Sequence, residues 1–121
     1  MSKRKIVHVE IPASDSASAS QFYQDLFGWD ARRVETPTPY YMFSGGNIGG
    51  GYNPLDEQNQ PGDILIYIES DDVDADLRAI EAHGGAIIEG PRVVADYGIM
   101  AVFTDPTGNR VALWKDTAPQ S

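Results

Sequence analysis

The sequence predicts an α+β fold made of two tandem βαβββ modules, and three observations carry that prediction. The hydrophobic period switches from two to about 3.6 and back again in each half of the 121-residue chain. The strand, helix cap and helix stop of the first half, at His8, Asp15 and Gly28, recur 57 residues later at Leu65, Asp72 and Gly85. Near the end of each half, "GGNIGGG" and "TGNRVAL" match at a second constant spacing of 62. One such match arises readily by chance, two in the same order do not, so the halves read as a duplicated unit.

The elements follow in order. Val7, Val9 and Ile11 alternate with Ile6, His8 and Glu10 until Pro12 ends the first strand. In "SDSASASQFYQDLFGWD", Ser14, Asp15 or Ser16 caps a helix whose apolar stripe is Ala19, Phe22, Tyr23 and Leu26, and Gly28 closes it. "WDARRVE", "YYMFS" and "NIGGGY" are three short strands, separated by Thr36 to Pro39 and by Gly45 and Gly46. Polar residues 54–62, with Pro54 and Pro61, form a linker between module 1 (about 5–53) and module 2 (about 63–116) of one domain, 1–121. In module 2, Ile64, Ile66 and Ile68 alternate with Leu65, Tyr67 and Glu69, and Asp72 caps a helix bearing Val73, Leu77 and Ile80 that Gly84 and Gly85 end. "AIIEGPRVV", "IMAVFT" and "NRVALW" complete the set, Pro91 marking a bulge or an edge.

Composition excludes several functions. The chain has no cysteine, so disulfides, thiolate metal sites and a cysteine nucleophile are absent. Nine basic against 18 acidic residues give a net charge of −9, which repels nucleic acid and anionic membranes and suits a neutral or cationic small molecule. No apolar run approaches a membrane span and "MSKRKIVHVE" lacks the apolar region of a signal peptide, so a cytoplasmic location is expected. Lys3, Arg4 and Lys5 read as a solvated terminus. "GGNIGGG" is not followed by a helix, the context in which glycine loops hold phosphate, so it reads as a tight hairpin. His83 falls at a helix C-terminus, where an imidazole complements the dipole.

"HVEIPASDSASASQFYQDLFGW", "DDVDADLRAIEAHGG" and "DPTGNRVALW", in that order, resemble the vicinal oxygen chelate (VOC) superfamily of glyoxalases, bleomycin resistance proteins and dioxygenases. The resemblance covers nearly the whole chain. It implies that the two units curve their sheets into a cup with the helices outside. Alternation then assigns His8, Glu10, Leu65, Tyr67 and Glu69 to the concave face, with Ile48, Gly50, Tyr52, Arg110, Ala112 and Trp114 from the last strand of each half.

Relatives that bind a divalent metal place two His and two Glu at four concave positions, which here are His8, Gly50, Leu65 and Ala112. Only His8 offers a donor, so the expected metal set is none and the expected cofactor is none; the alternative is Ni, Zn or Fe displaced toward Glu10 and Glu69. His8 and Glu10 are the catalytic candidates, with His8 as a general base or a bonded core histidine. Tyr52, Tyr67, Glu69, Arg110 and Trp114 are the ligand-binding candidates; the aromatics suit a planar molecule or a plain core, and Arg110 a ligand carboxylate or an ion pair with Glu10 or Glu69. Three functions remain open: metal-independent binding of a small organic molecule, a lyase, isomerase or dioxygenase-like enzyme of the same superfamily, and a structural role as a homodimer.

Overall fold

The computed structural model describes residues 3–35 and 40–117; the turn expected over Thr36 to Pro39 lies outside them. Eight strands and two helices occur among the described residues in the order β1 (Ile6–Glu10), α1 (Ser16–Phe27), β2 (Asp30–Val34), β3 (Tyr40–Ser44), β4 (Gly50–Gly51), β5 (Leu65–Glu69), α2 (Val73–Ala82), β6 (Ala86–Val94), β7 (Gly98–Thr104) and β8 (Arg110–Asp116). This is the α+β, twice βαβββ pattern that the repeat predicts. The chain forms two compact units, His8–Leu65 and Met1–Val7 with Ile66–Ser121. β1 is therefore divided, its first residues belonging to the unit built from the second half.

In the unit of residues 8–65, strands run β2-β3-β4-β1, with β4 parallel to β1 and antiparallel to β3. Asp15 caps α1 by accepting the N–H groups of Ala17 and Ser18, and these bonds hold its carboxyl below the usual range. Gly28 closes the helix in the left-handed region at φ 73°. The stripe α1 buries differs from the expected one. Ser20 is buried and Ser16 turns its hydroxyl to the sheet, where it accepts the Tyr41 N–H at 2.9 Å. Phe22 and Leu26 point outward, 54% and 61% exposed. Small polar residues at positions 16 and 20 let the helix approach the sheet closely, and Tyr23 then supplies the apolar contact. Its ring stacks on Trp29 at 5.3 Å and on Tyr52 at 5.6 Å, and Phe43 completes the aromatic core at 4.7 Å from Trp29. Residues 54–62 fold back in local turns, the Asp56 carboxylate accepting the N–H groups of Gln58 and Asn59.

In the other unit, the order is β5-β8-β7-β6, with β5 parallel to β8 and the rest antiparallel. Asp72 caps α2 and His83 ends it, the imidazole Nδ1 donating to the Ala79 carbonyl at 2.8 Å. The core is aliphatic, with Val73 and Leu77 of α2 against Ala101, Phe103 and Leu113. Ile64, expected beneath a helix, precedes β5 and is 54% exposed. β6 is an edge strand whose register shifts twice, between Ile87 and Glu89 and between Glu89 and Arg92, around the predicted Pro91 irregularity. In the turn before β8, the Asp105 carboxylate accepts the N–H groups of Thr107, Gly108 and Asn109 and the Asn109 side chain, which holds its carboxyl below the usual range.

The basic start of the chain has a definite partner. Arg4 forms a forked pair with Asp76 of α2 at 2.6 and 2.9 Å, Ser70 donates to the same carboxylate at 2.5 Å, and the Lys5 carbonyl accepts the Glu69 N–H.

Candidate functional site

Each unit offers a sheet face turned away from its helix, and register assigns the residues on it. In the unit of residues 8–65, Glu10 pairs with Gly51, Gly51 with Met42 and Met42 with Arg32, a row across four strands on that face. The neighbouring row, Val9, Gly50, Phe43 and Ala31, faces α1. A Cβ on Gly50 would strike the Phe43 ring, and one on Gly51 would overlap the Tyr40 hydroxyl and come within 3.0 Å of Glu10 Oε2. These contacts correct two expectations. Gly50 lies on the helix side, and Gly51 occupies the open-face position that matches Ala112. Tyr52 also lies on the helix side, 1% exposed between Tyr23 and Phe43, with burial raising its phenol to about 12. The duplicated glycines hid the error, because a strand without side chains has no alternation to read.

The same face gathers a polar chain that includes one residue missed by the sequence reading. The Tyr40 hydroxyl donates to Glu10 Oε2 at 2.8 Å, and Glu10 Oε1 lies 3.4 Å from His8 Nε2. Both His8 and Glu10 are mostly buried. Tyr40 follows Pro37 and Pro39 in the sequence, and its contact with Glu10 two strands away gave no local signal.

In the second unit, two rows cross the face turned away from α2. Tyr67, Ala112, Val102 and Glu89 form one; Glu69, Trp114, Met100 and Arg92 form the other. Tyr67, Ala112, Val102 and Met100 are buried, whereas Trp114 is only half-buried. A Cβ on Gly98 would strike the indole at 2.5 Å, so the absence of a side chain there is what lets Trp114 lie across β7. Tyr67 meets the indole edge to face, with ring centroids 6.4 Å apart. Arg110 enters the same face one strand position before Ala112's row, opposite Thr104. Tyr67, Glu69, Arg110 and Trp114 thus share the face on which alternation placed them.

Of His8, Gly50, Leu65 and Ala112, only His8 has a donor, and Gly51 in place of Gly50 adds none. Among the described residues, no three His, Asp or Glu side chains gather in a group suited to an ion. No helix among them is long and apolar enough to cross a membrane.

Comparison with known proteins gives the chain's relations. Residues 5–113 match the family model of the Glyoxalase/Bleomycin resistance protein/Dioxygenase superfamily. The anthracycline biosynthesis protein DnrV of Streptomyces peucetius is 32% identical over 88% of this chain, and DauV of Streptomyces sp. (strain C5) is equally similar. In both cases the match spans 45% of the relative, so the chain covers under half the length of these curated relatives. Among solved structures, a hypothetical protein of Bacillus halodurans superposes with a TM-score of 0.75 at 15% identity, covering 99% of each chain. Methylmalonyl-CoA epimerase from Mycobacterium tuberculosis superposes with 0.71 at 19% identity, over 94% of this chain and 88% of the other. At such identities these structures speak for the fold alone.

Proposed function

The chain belongs to the glyoxalase/bleomycin resistance protein/dioxygenase superfamily, and from that premise we propose that it binds a small, planar organic molecule at Trp114, on the face of its second unit turned away from α2, without a metal ion. The observation that carries this reading is the half-buried indole of Trp114, which lies over Gly98 of β7 with the Tyr67 ring set across it at 72°. A ring fixed in this way offers a stacking surface whose ordering cost is already met in the free protein. The anthracycline biosynthesis proteins among the relatives agree with an aromatic ligand.

The test is a calorimetric titration of EDTA-treated protein with planar aromatics such as naphthalene derivatives. Binding that survives EDTA and is lost in Trp114→Ala supports the reading. Binding that needs added Ni²⁺, Zn²⁺ or Fe²⁺, or that Trp114→Ala leaves intact, refutes it.

Two further readings each have their own observation. Acid-base catalysis by His8 and Glu10 is favoured by the Tyr40 hydroxyl, which orients the Glu10 carboxylate toward the imidazole. Its test is deuterium exchange at the carbon beside a ketone, in EDTA, which Glu10→Gln would abolish. Homodimer formation is favoured by Phe22, Leu26 and Phe27, three large apolar side chains exposed on α1.

A further inference from the structure

We propose that the ligand of the second unit carries an oxygen acceptor at the edge of its ring system, a carboxylate or a ring carbonyl, and that Arg92 is the group that reads it; this rests on the reading of Trp114 as a stacking platform. Register places Trp114, Met100 and Arg92 side by side on one row across β8, β7 and β6. Two strand spacings, about 10 Å, separate the two backbones, but both side chains reach inward over β7, the indole to Gly98 and the guanidinium to the Met100 sulfur. Gly98 and Met100 are neighbours on one face of that strand, about 7 Å apart, so a ring stacked on the indole brings an edge substituent to the guanidinium.

The guanidinium is not a free rotor. Its Nε donates to Glu89 Oε2 at 2.8 Å, and one terminal nitrogen donates to the Met100 sulfur at 3.0 Å. The first bond fixes the plane of the fork. The second spends a charged donor on a thioether, one of the weakest acceptors a protein has. An oxygen acceptor arriving over Met100 replaces that bond with a much stronger one, so ligand binding exchanges a poor partner for a good one at little ordering cost. The other unit repeats the pairing, Arg32 donating to the Met42 sulfur at 3.6 Å from the equivalent pair of strands, without a flat tryptophan beside it. A guanidinium parked on a methionine is thus a device of the repeat, and only the second unit joins it to a stacking surface.

Glu89 and the net charge of −9 both work against anions, so a preference for one cannot arise from long-range attraction. Calorimetric titration at about 0.15 M salt, where charges beyond roughly 8 Å are screened, therefore reads the local contact. The probes are 2-naphthoate and naphthalene, with wild-type protein, Arg92→Met, Arg92→Lys and, as a control, Arg32→Met. The expected result is about tenfold tighter binding of 2-naphthoate by wild type and Arg32→Met, no discrimination by Arg92→Met, and a reduced preference in Arg92→Lys, which keeps the charge and loses the fork. Equal binding of both probes by wild type, or a preference that persists in Arg92→Met, overturns the role of Arg92 while leaving the stacking platform standing. Failure of both probes to bind overturns the platform and this proposal together.

Discussion

Replacing Tyr52 by alanine separates a ring that packs from a ring that binds. Tyr52 is 1% exposed, and its ring lies 5.6 Å from Tyr23 and 5.2 Å from Phe43, on the side of the sheet that faces α1. Truncation leaves a ring-sized void in that aromatic core, which costs about 3 to 5 kcal/mol. For a chain of this size each kcal/mol corresponds to about 3 to 5 °C, so the melting temperature should fall by about 10 to 20 °C in a calorimetric scan. Tyr52→Phe keeps the ring and adds a diagnostic at high pH. Burial raises the native phenol from 10 to about 12. The unfolded state therefore releases its proton first, and the stability contributed by Tyr52 is complete below pH 10 and lost as the pH rises from 10 to 12. Wild type should lose up to about 2 to 3 kcal/mol over that interval through this group, and Tyr52→Phe should lose correspondingly less. A Tyr52→Ala protein that melts within a few degrees of wild type but no longer binds ligand would refute the assignment of Tyr52 to the core.

Four further perturbations have defined outcomes in this structure. The Asp76 carboxyl, held below its usual value first by the Arg4 hydrogen bonds and then by Ser70, contributes stability above about pH 4 that is lost as the pH falls through its native value. Because Arg4 is 42% exposed the pair is worth about 1 kcal/mol or less, so Asp76→Asn should trail wild type by that amount at pH 7 and draw level in acid-denaturation curves near pH 2. Gly51→Ala should cost about 1 to 3 kcal/mol in urea unfolding because its methyl group overlaps the Tyr40 hydroxyl, and Tyr40→Ala in the same chain should remove most of that increment. A double mutant in which the two changes simply add would count against this contact. Phe22→Ser with Leu26→Ser should change the melting temperature by only a few degrees, since both side chains are exposed, and should shift a concentration-dependent dimer to monomer in sedimentation experiments.

The repeat, both helix caps and the faces of β5 and β8 were legible because each rests on a local signal: alternation of side chains, an Asp before a helix, a Gly after it. Tyr67, Glu69, Arg110 and Trp114 were placed on their face by alternation alone. Three features were not legible. Gly49 to Gly51 have no side chains to alternate, so the face of Tyr52 was set by pairing with β1 and β3, which the sequence does not display. The α1 stripe was misread because hydrophobicity favoured Phe22 and Leu26 over Ser16 and Ser20, whereas the sheet selected the small residues that permit close approach and a hydroxyl that satisfies the Tyr41 N–H. The Arg92–Met100 and Tyr40–Glu10 contacts join residues on different strands with no shared motif, and only register brings them together.

The division of β1 has a practical consequence for anyone dissecting the chain. A fragment cut at the unit boundary inside β5 and beginning at residue 66 contains α2 and nearly every strand residue of its repeat, yet it lacks the Lys5 carbonyl that accepts the Glu69 N–H and the Arg4 fork that holds Asp76. The two sequence repeats therefore do not coincide with the two compact units. Complementation should instead succeed when the C-terminal fragment is supplied with a peptide of the first seven residues, or when those residues are fused ahead of residue 66 through a short linker.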